Sequence, residues 1–260
     1  MKKLLFWLCA IVFVIAIANI GSEISVRLKD ASVYEELAEQ VESFVPLENV
    51  TQDENSITYS SDDIIIEQEI LAKYQSLYEQ NNDLVGWIKI EDTELNYPVM
   101  QTPDDPEYYL RKDFYGAYSI SGTPFLGSNC SISPSSVNMV IYGHHMRDES
   151  IFTAVSYYIS YSYYEEHKYI SFDTLYEENT YEVVYAFYID VTPDNGHFEF
   201  YNYINFTTDE QFEEFKTNCE TLSIYDTGVQ IENGDEFLTL VTCSYGSDNE
   251  RTVVIAKKIS

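Results

Sequence analysis

The chain predicts a mainly β fold, a barrel or sandwich with a few inserted helices. Three observations carry that expectation. Short runs rich in β-branched and aromatic residues follow one another from Val85 onward: VGWIKI, ELNYPVM, TPFLG, NMVIYG, YISF, TYEVVYAFYI, EFLTLVTC and TVVIAKKI. Clusters of turn-forming residues separate them. Once the apolar N-terminus is set aside, 260 residues suit one domain of ordinary size that buries a full core without staples.

Taken in order, the first element is MKKLLFWLCAIVFVIAIANIGSE, where two lysines precede an uncharged, mostly apolar run from Leu4 to Ile20. That run is long enough to span hydrocarbon. We read residues 1–3 as a cytoplasmic tail and 4–21 as a transmembrane signal anchor with its N-terminus inside. Ala16-Ile17-Ala18 resembles a cleavage site, so a removed signal peptide is the competing reading, although the apolar run is long for one. Arg27 and Lys29 on the far side weaken the charge-asymmetry argument. On either reading the bulk of the chain is exported, and the expected localisation is the cell membrane, single-pass, with an extracellular domain.

Residues 22–60 are polar and acidic and read as an extracellular spacer, with a helix around Tyr34 to Phe44 and then the loop PLENVTQDENS. Residues 61–260 form the folded domain, opening on an amphipathic helix at about 62–80, where DDIIIEQEILAKYQSLYEQ has helical apolar spacing and an acidic start. A further helix follows Ser150. Another occupies FTTDEQFEEFKTNCETL, where Thr208 with Gln211 makes a capping-box pattern and Phe212 and Phe215 share a face.

Charge and cysteine usage narrow the function. With 14 Lys+Arg against 44 Asp+Glu, the formal charge is -30, which repels nucleic-acid phosphates and anionic lipid surfaces. Most of these carboxylates read as a solvated exterior. Cysteines stand at 9, 130, 219 and 243. Cys9 lies in the apolar run and the other three are odd in number, which is not a disulfide framework.

One of those thiols sits in a suggestive place. Cys243 ends the run EFLTLVTC, and Arg251 opens the next strand after a seven-residue loop. A hairpin places the two strand ends side by side. Nearby positive charge favours thiolate, and a guanidinium offers paired donors to an oxygen that gains charge. On these grounds alone an inert packing cysteine explains the run equally well. In NMVIYGHHMRDE, Gly143 breaks a buried strand and His144 and His145 follow. Either could act as general acid or base, and adjacent residues in extended backbone point to opposite sides, so one imidazole enters a given pocket. His-His adjacency is poor zinc-ligand spacing, and no Cys-x-x-Cys or His-Glu-x-x-His pattern accompanies it. No metal or cofactor is expected. His167 and His197 read as surface residues, and a Gly-x-Ser-x-Gly elbow is missing.

TLVTC (Thr239 to Cys243) followed by Arg251 and TVVIAKKI, together with NMVIYGHHM (Asn138 to Met146) upstream, resembles the sortases, and within them class B. NYPVMQ (Asn96 to Gln101) and NYINF, leading into the 208–218 helix, are similar to class B as well. The likeness runs from about Asp83 to Ile259. It implies a closed eight-stranded sortase-type barrel with N-terminal helices and an inserted helix before the Cys-bearing strand. It also implies a Gram-positive cysteine transpeptidase that needs no cofactor. By the same resemblance, Cys243 attacks the carbonyl after the Thr of a C-terminal sorting signal. His144 protonates the leaving amine and then deprotonates the amine of a cell-wall precursor, and Arg251 binds substrate and stabilises the oxyanion. Asn96, Tyr142, Tyr203 and Ile204 become candidates for the peptide groove.

The implied partners are sorting-signal-bearing surface proteins, a peptidoglycan precursor amine and the membrane, with no nucleic acid. A class B pilin polymerase using a lysine amine is the nearest alternative; an inactive peptide binder and a hydrolase are further ones. Two departures stand out. Val241 occupies a position that is often serine in class B, and the loop SYGSDNE carries Asp248 and Glu250 close to Arg251.

Overall fold

The computed structural model describes residues 2–45, 68–193, 196–243 and 249–260. Eight strands close into one barrel: β1 (Leu84–Lys89), β2 (Asn96–Met100), β3 (Phe125–Leu126), β4 (Asn138–Gly143), β5 (Tyr169–Thr174), β6 (Thr180–Asp190), β7 (Phe237–Cys243) and β8 (Glu250–Lys258), in the order β1-β2-β3-β4-β7-β8-β6-β5. Each of the eight runs read from the sequence supplies one of them. Closure leaves no unpaired edge. Most ladders are antiparallel, but β2–β3 and β4–β7 are parallel.

Helices fill the connections. α1 runs without a break from Lys2 to Glu42, α2 covers Ala72–Gln80, α3 Thr153–Ser156, α4 Tyr161–Glu166 and α5 Asp209–Leu222. The helix expected around Tyr34 is therefore the last part of α1. It lies against the barrel, where a spacer was expected: Asp30, Tyr34 and Leu37 are buried at i, i+4 and i+7, one helical face. The N-terminal apolar side chains behave oppositely, with Phe6, Trp7, Ile11, Phe13 and Ile17 all more than half exposed around the helix. This part of α1 is long and apolar enough to cross a membrane, and it is consistent with a single-pass anchor.

The helix expected over 62–80 begins only at Ala72; residues 62–67 lie outside the described residues, and 68–71 are not helical. Its inner face is fixed by chemistry as well as packing. Lys73 Nζ reaches Asp173 Oδ2 at 2.8 Å and also Glu178, while Tyr74 donates to the same Asp173 oxygen at 2.7 Å. The expected element after Ser150 is present as α3, a short 3₁₀ turn and α4.

α5 carries the cap that its sequence announced, with one change of partner. Gln211 N donates to Thr208 Oγ1 at 3.3 Å, but the Gln211 side chain accepts from the backbone of Thr207, not of Thr208. Its apolar face packs into an aromatic cluster. Phe215 is fully buried, with ring centroids of Phe206, Phe237, Tyr203 and Phe198 at 5.2, 5.7, 5.8 and 6.2 Å. Because this cluster joins α5 to β7, Phe215→Ala should cost about 3–5 kcal/mol through lost transfer energy and the cavity left behind. Chemical denaturation measures this, and a loss below about 1 kcal/mol would show that the site collapses freely.

Candidate active site

The site is built by register. β4 and β7 run parallel with Asn138 opposite Phe237 and Gly143 opposite Thr242. The next position on each strand is therefore His144 on one and Cys243 on the other. β7 and β8 then pair antiparallel with Cys243 opposite Arg251. Neighbouring strands lie about 5 Å apart, so three positions distant in sequence meet at one end of the barrel. Gly143 is required for this exit. A Cβ there would stand 2.4 Å from Phe152 Cγ, so only glycine lets the strand end pass that ring.

His144 is half-buried, and its Nε2 lies 2.9 Å from the carbonyl oxygen of Leu110, in the 3₁₀ turn Tyr108–Arg111. A carbonyl only accepts, so Nε2 carries the hydrogen and Nδ1 is the basic nitrogen of the neutral ring. Burial lowers the pKa of this imidazole, and the neighbouring Arg111 guanidinium lowers it further, against the opposing pull of the Leu110 hydrogen bond. Burial and the Arg111 charge thus favour the neutral ring. His145 turns elsewhere: it bridges Ile151, and its Nε2 is 3.5 Å from Ser156 Oγ.

Arg251 lines a cavity of about 390 Å³ whose walls also include Phe125, Cys130, Tyr142, Ile204 and Val241. Its Nη1 donates to the carbonyl of Glu250 at 3.0 Å; Asp248 lies outside the described residues. Tyr142 is stacked on Phe125 with centroids 5.6 Å apart. Ile204 is held in place by backbone: Asn138 N donates to Ile204 O at 2.9 Å, and Asn138 Nδ2 donates to Tyr203 O at 2.9 Å. Thr239 completes the clamp by donating to Asn138 Oδ1 at 2.8 Å. The wall is apolar where Val241 contributes, so that position offers contact area and no hydrogen bond.

Of the four groove candidates, then, Tyr142 and Ile204 line this cavity. Tyr203 stands beside it with its ring against Phe198 and Phe215. Asn96 is not brought to it. That side chain accepts from Trp87 Nε1 at 2.7 Å and donates to Glu42 Oε1 at 3.0 Å, lining a separate cavity between α1, α2 and the barrel. Sequence reasoning missed Leu110 and Arg111, which touch or tune His144. YLRKDF carries no motif, and only the fold places it there. Among the described residues, no cluster of His, Cys, Asp or Glu could hold a metal ion.

A profile of the Sortase domain matches residues 88–259. Sortase B of Staphylococcus aureus is 32% identical over 195 residues, covering 74% of this chain and 77% of the relative. Sortase B of Listeria monocytogenes is 29% identical over 184 residues, covering 70% and 72%. Among solved structures, a Staphylococcus aureus sortase B–substrate complex superposes with a TM-score of 0.73 at 28% identity, covering 90% of this chain and 98% of that one. A sortase B complexed with triglycine gives 0.74 at 26%, covering 90% and 99%. The chain belongs to the sortase family. Within it the kinship is with class B, and the protein is accordingly a cysteine transpeptidase of cell-wall sorting.

Because Arg111 holds the imidazole pKa down, Arg111→Gln should raise it toward the ordinary value of about 6.5. An NMR titration of the His144 ring in the two proteins measures the change; an unmoved or lower value would remove Arg111 as the tuning charge. The sign for stability follows from the same shift. A histidine with a depressed folded pKa binds its proton more readily when unfolded, so stability falls as pH drops below about 6.5, and the variant should lose less.

Proposed function

We propose that this sortase is anchored in the cell membrane through the apolar half of α1, with the barrel outside, and that Cys243, His144 and Arg251 carry its chemistry. The observation that supports this most directly is the β4–β7–β8 register, in which the three positions are neighbours. The substrate is a surface protein ending in a sorting signal. Cys243 sulfur attacks the carbonyl carbon after the signal's Thr, and the oxygen takes up the negative charge. Arg251 offers two N–H donors to that oxygen as it forms.

His144 is neutral at rest, so it must collect a proton before it can give one. The Cys243 thiol is the proton source on the path: Nδ1 accepts that hydrogen as sulfur attacks and delivers it to the leaving amine when the C–N bond breaks. A thioacyl-enzyme remains. The amine of a cell-wall precursor then attacks the thioester, transfers a proton to His144 and expels the sulfur, joining the surface protein to peptidoglycan. The triglycine bound by a relative ends in a free amine of this chemical kind. Tyr142 and Ile204 contact the signal peptide along the apolar wall, and Tyr203 fixes Ile204 through its backbone. For Asn96, the contacts with Trp87 and Glu42 support a structural role. The relatives matched are sortase B, and no observation favours a pilin lysine as acceptor.

Incubation with a sorting peptide in the absence of acceptor should leave a thioacyl adduct that mass spectrometry detects on the wild-type chain. Cys243→Ala should show neither adduct nor cleavage, and retained turnover would end the proposal. His144→Ala should lose about 10²- to 10⁴-fold in cleavage rate, far more than His145→Ala. The opposite ranking would place the chemistry on the other imidazole.

A further inference from the structure

The part of α1 that follows its apolar half grips the two segments between which His144 is held. The first is the loop 119–123. Asp30 Oδ2, on a buried side chain, accepts from Ser119 Oγ at 2.6 Å and Ser121 Oγ at 3.2 Å. Tyr34 OH donates to Gly122 O at 2.6 Å and lies 2.9 Å from Thr123 Oγ1. That loop wraps the 108–111 turn. Ser119 N donates to Arg111 O at 3.1 Å, Thr123 N to Tyr109 O at 3.0 Å, and Arg111 Nη1 to Ile120 O at 2.6 Å. Gly122, at φ +65, approaches the turn so closely that a Cβ would meet Leu110 O at 2.5 Å. Leu110 O is the acceptor for His144 Nε2.

The second segment is the loop after His144 itself. Arg27 Nη1 donates to Asp148 Oδ2 at 2.8 Å, and Asp148 Oδ1 holds the Ser150 hydroxyl at 2.6 Å. Tyr97, packed edge-on against Tyr34 with centroids 5.1 Å apart, accepts from Ile151 N at 3.2 Å. Phe152 N donates to His144 O at 3.0 Å. Ile151 has φ 56°, a left-handed conformation that costs a β-branched residue energy and persists only where its surroundings fix it. The surroundings that fix it include α1.

We propose that residues 27–34 of α1 are positioning residues for His144. The helix sets the Leu110 carbonyl through the 119–123 loop and sets the His144 backbone through the 148–152 loop, so the part of α1 that follows the apolar half supports the catalytic apparatus and is not only a spacer. The proposal rests on the reading of His144 as the acid–base group. The charged groups to consider around that ring are Arg111 from the turn and Arg147 and Asp148 from its own loop. Cys243 and Arg251 share the same barrel end.

The test uses the full chain in detergent micelles. Tyr34→Phe keeps the ring and removes its bond to the Gly122 carbonyl. Asp30→Ala removes the acceptor for both serines, and Asp30→Asn keeps one. Tyr34→Phe and Asp30→Ala should each lower kcat for peptide cleavage about 5- to 20-fold with KM within about twofold. Each should also move the acid limb of the kcat profile, and the His144 ring titration, upward in pH as the ring gains solvent. Asp30→Asn should recover most of the rate.

Leu37→Ala, on the same buried helix face but with a side chain that makes no hydrogen bond to either loop, serves as the control for lost packing. It should lower the thermal midpoint while leaving kcat and the pH profile unchanged. If Leu37→Ala reproduces the kcat loss and pH shift, or if Tyr34→Phe and Asp30→Ala leave both unchanged, α1 does not position the histidine. If His144→Ala itself retains wild-type cleavage, it is the assignment of the acid–base group that has failed.

Discussion

The ladder that pairs β4 parallel with β7, and β7 antiparallel with β8, is the constraint on which the site rests. A slip of one residue in either pairing would swap the two faces of a strand, misfit its packing on both and draw buried side chains out at its end, because these strands are buried on both faces along their centres: Leu238, Leu240, Val253, Val254 and Ile255 have almost no exposed surface. At about 25 cal/mol for each Å² of apolar surface, exposing even two such side chains costs several kcal/mol, a large part of a domain's net stability. Closure adds to this. In an eight-stranded ring, one pairing cannot shift unless its neighbours shift as well. The relative positions of Cys243, His144 and Arg251 are thus fixed by hydrophobic burial along the strands that carry them.

The electrostatics of the site run against those of the whole molecule. A chain with a formal charge of -30 should, by its summed field, favour protonated histidine. Yet burial and Arg111 lower the His144 pKa. Distance decides the matter, because exposed carboxylates beyond about 8 Å are largely screened at physiological ionic strength, while a half-buried ring feels its desolvation and its nearest cation in full. The chain has four arginines, Arg27, Arg111, Arg147 and Arg251. One tunes the imidazole, one lines the cavity, one belongs to the histidine loop and one ties that loop to α1. In so acidic a protein, the guanidinium groups are concentrated where local positive charge has a task.

Much of this was legible in the sequence, and the division has a physical basis. The eight strands were readable because each is a run of β-branched and aromatic residues with turn formers at its ends, a local signal. Cys243, His144 and Arg251 could be singled out because strand termini are local features too, although only the family likeness chose His144 over His145. The bounds of α2 and the continuity of α1 were not readable. An acidic, polar stretch such as GSEISVRLKDASVYEELAE looks like a solvated spacer until the barrel surface that buries Asp30, Tyr34 and Leu37 is known. Leu110 is the extreme case. It contributes a backbone carbonyl, which no side-chain pattern can encode, and long-range folding alone delivers it to the imidazole. Asn96 shows the converse: a residue that resembles a groove contact in its motif is engaged with Trp87 and Glu42 instead.

The continuity of α1 carries a consequence for how such an enzyme would meet its substrates. A helix of 41 residues is about 60 Å long, and ten residues separate Ile20 from Asp30, about 15 Å along the axis. A flexible linker would let the barrel tumble above the bilayer. An unbroken helix docked on the barrel does not, since each residue also fixes a rotation of about 100°. With the apolar half in the membrane, as proposed, both the height of the cleft and the direction it faces are set by the same helix whose next turns hold the histidine loops. Adding one residue between Ile20 and Arg27 would turn the barrel by more than a quarter revolution relative to the anchor while leaving every contact of Asp30 and Tyr34 intact. Orientation toward the membrane and alignment of the imidazole are therefore separable in principle, yet a single secondary-structure element imposes both.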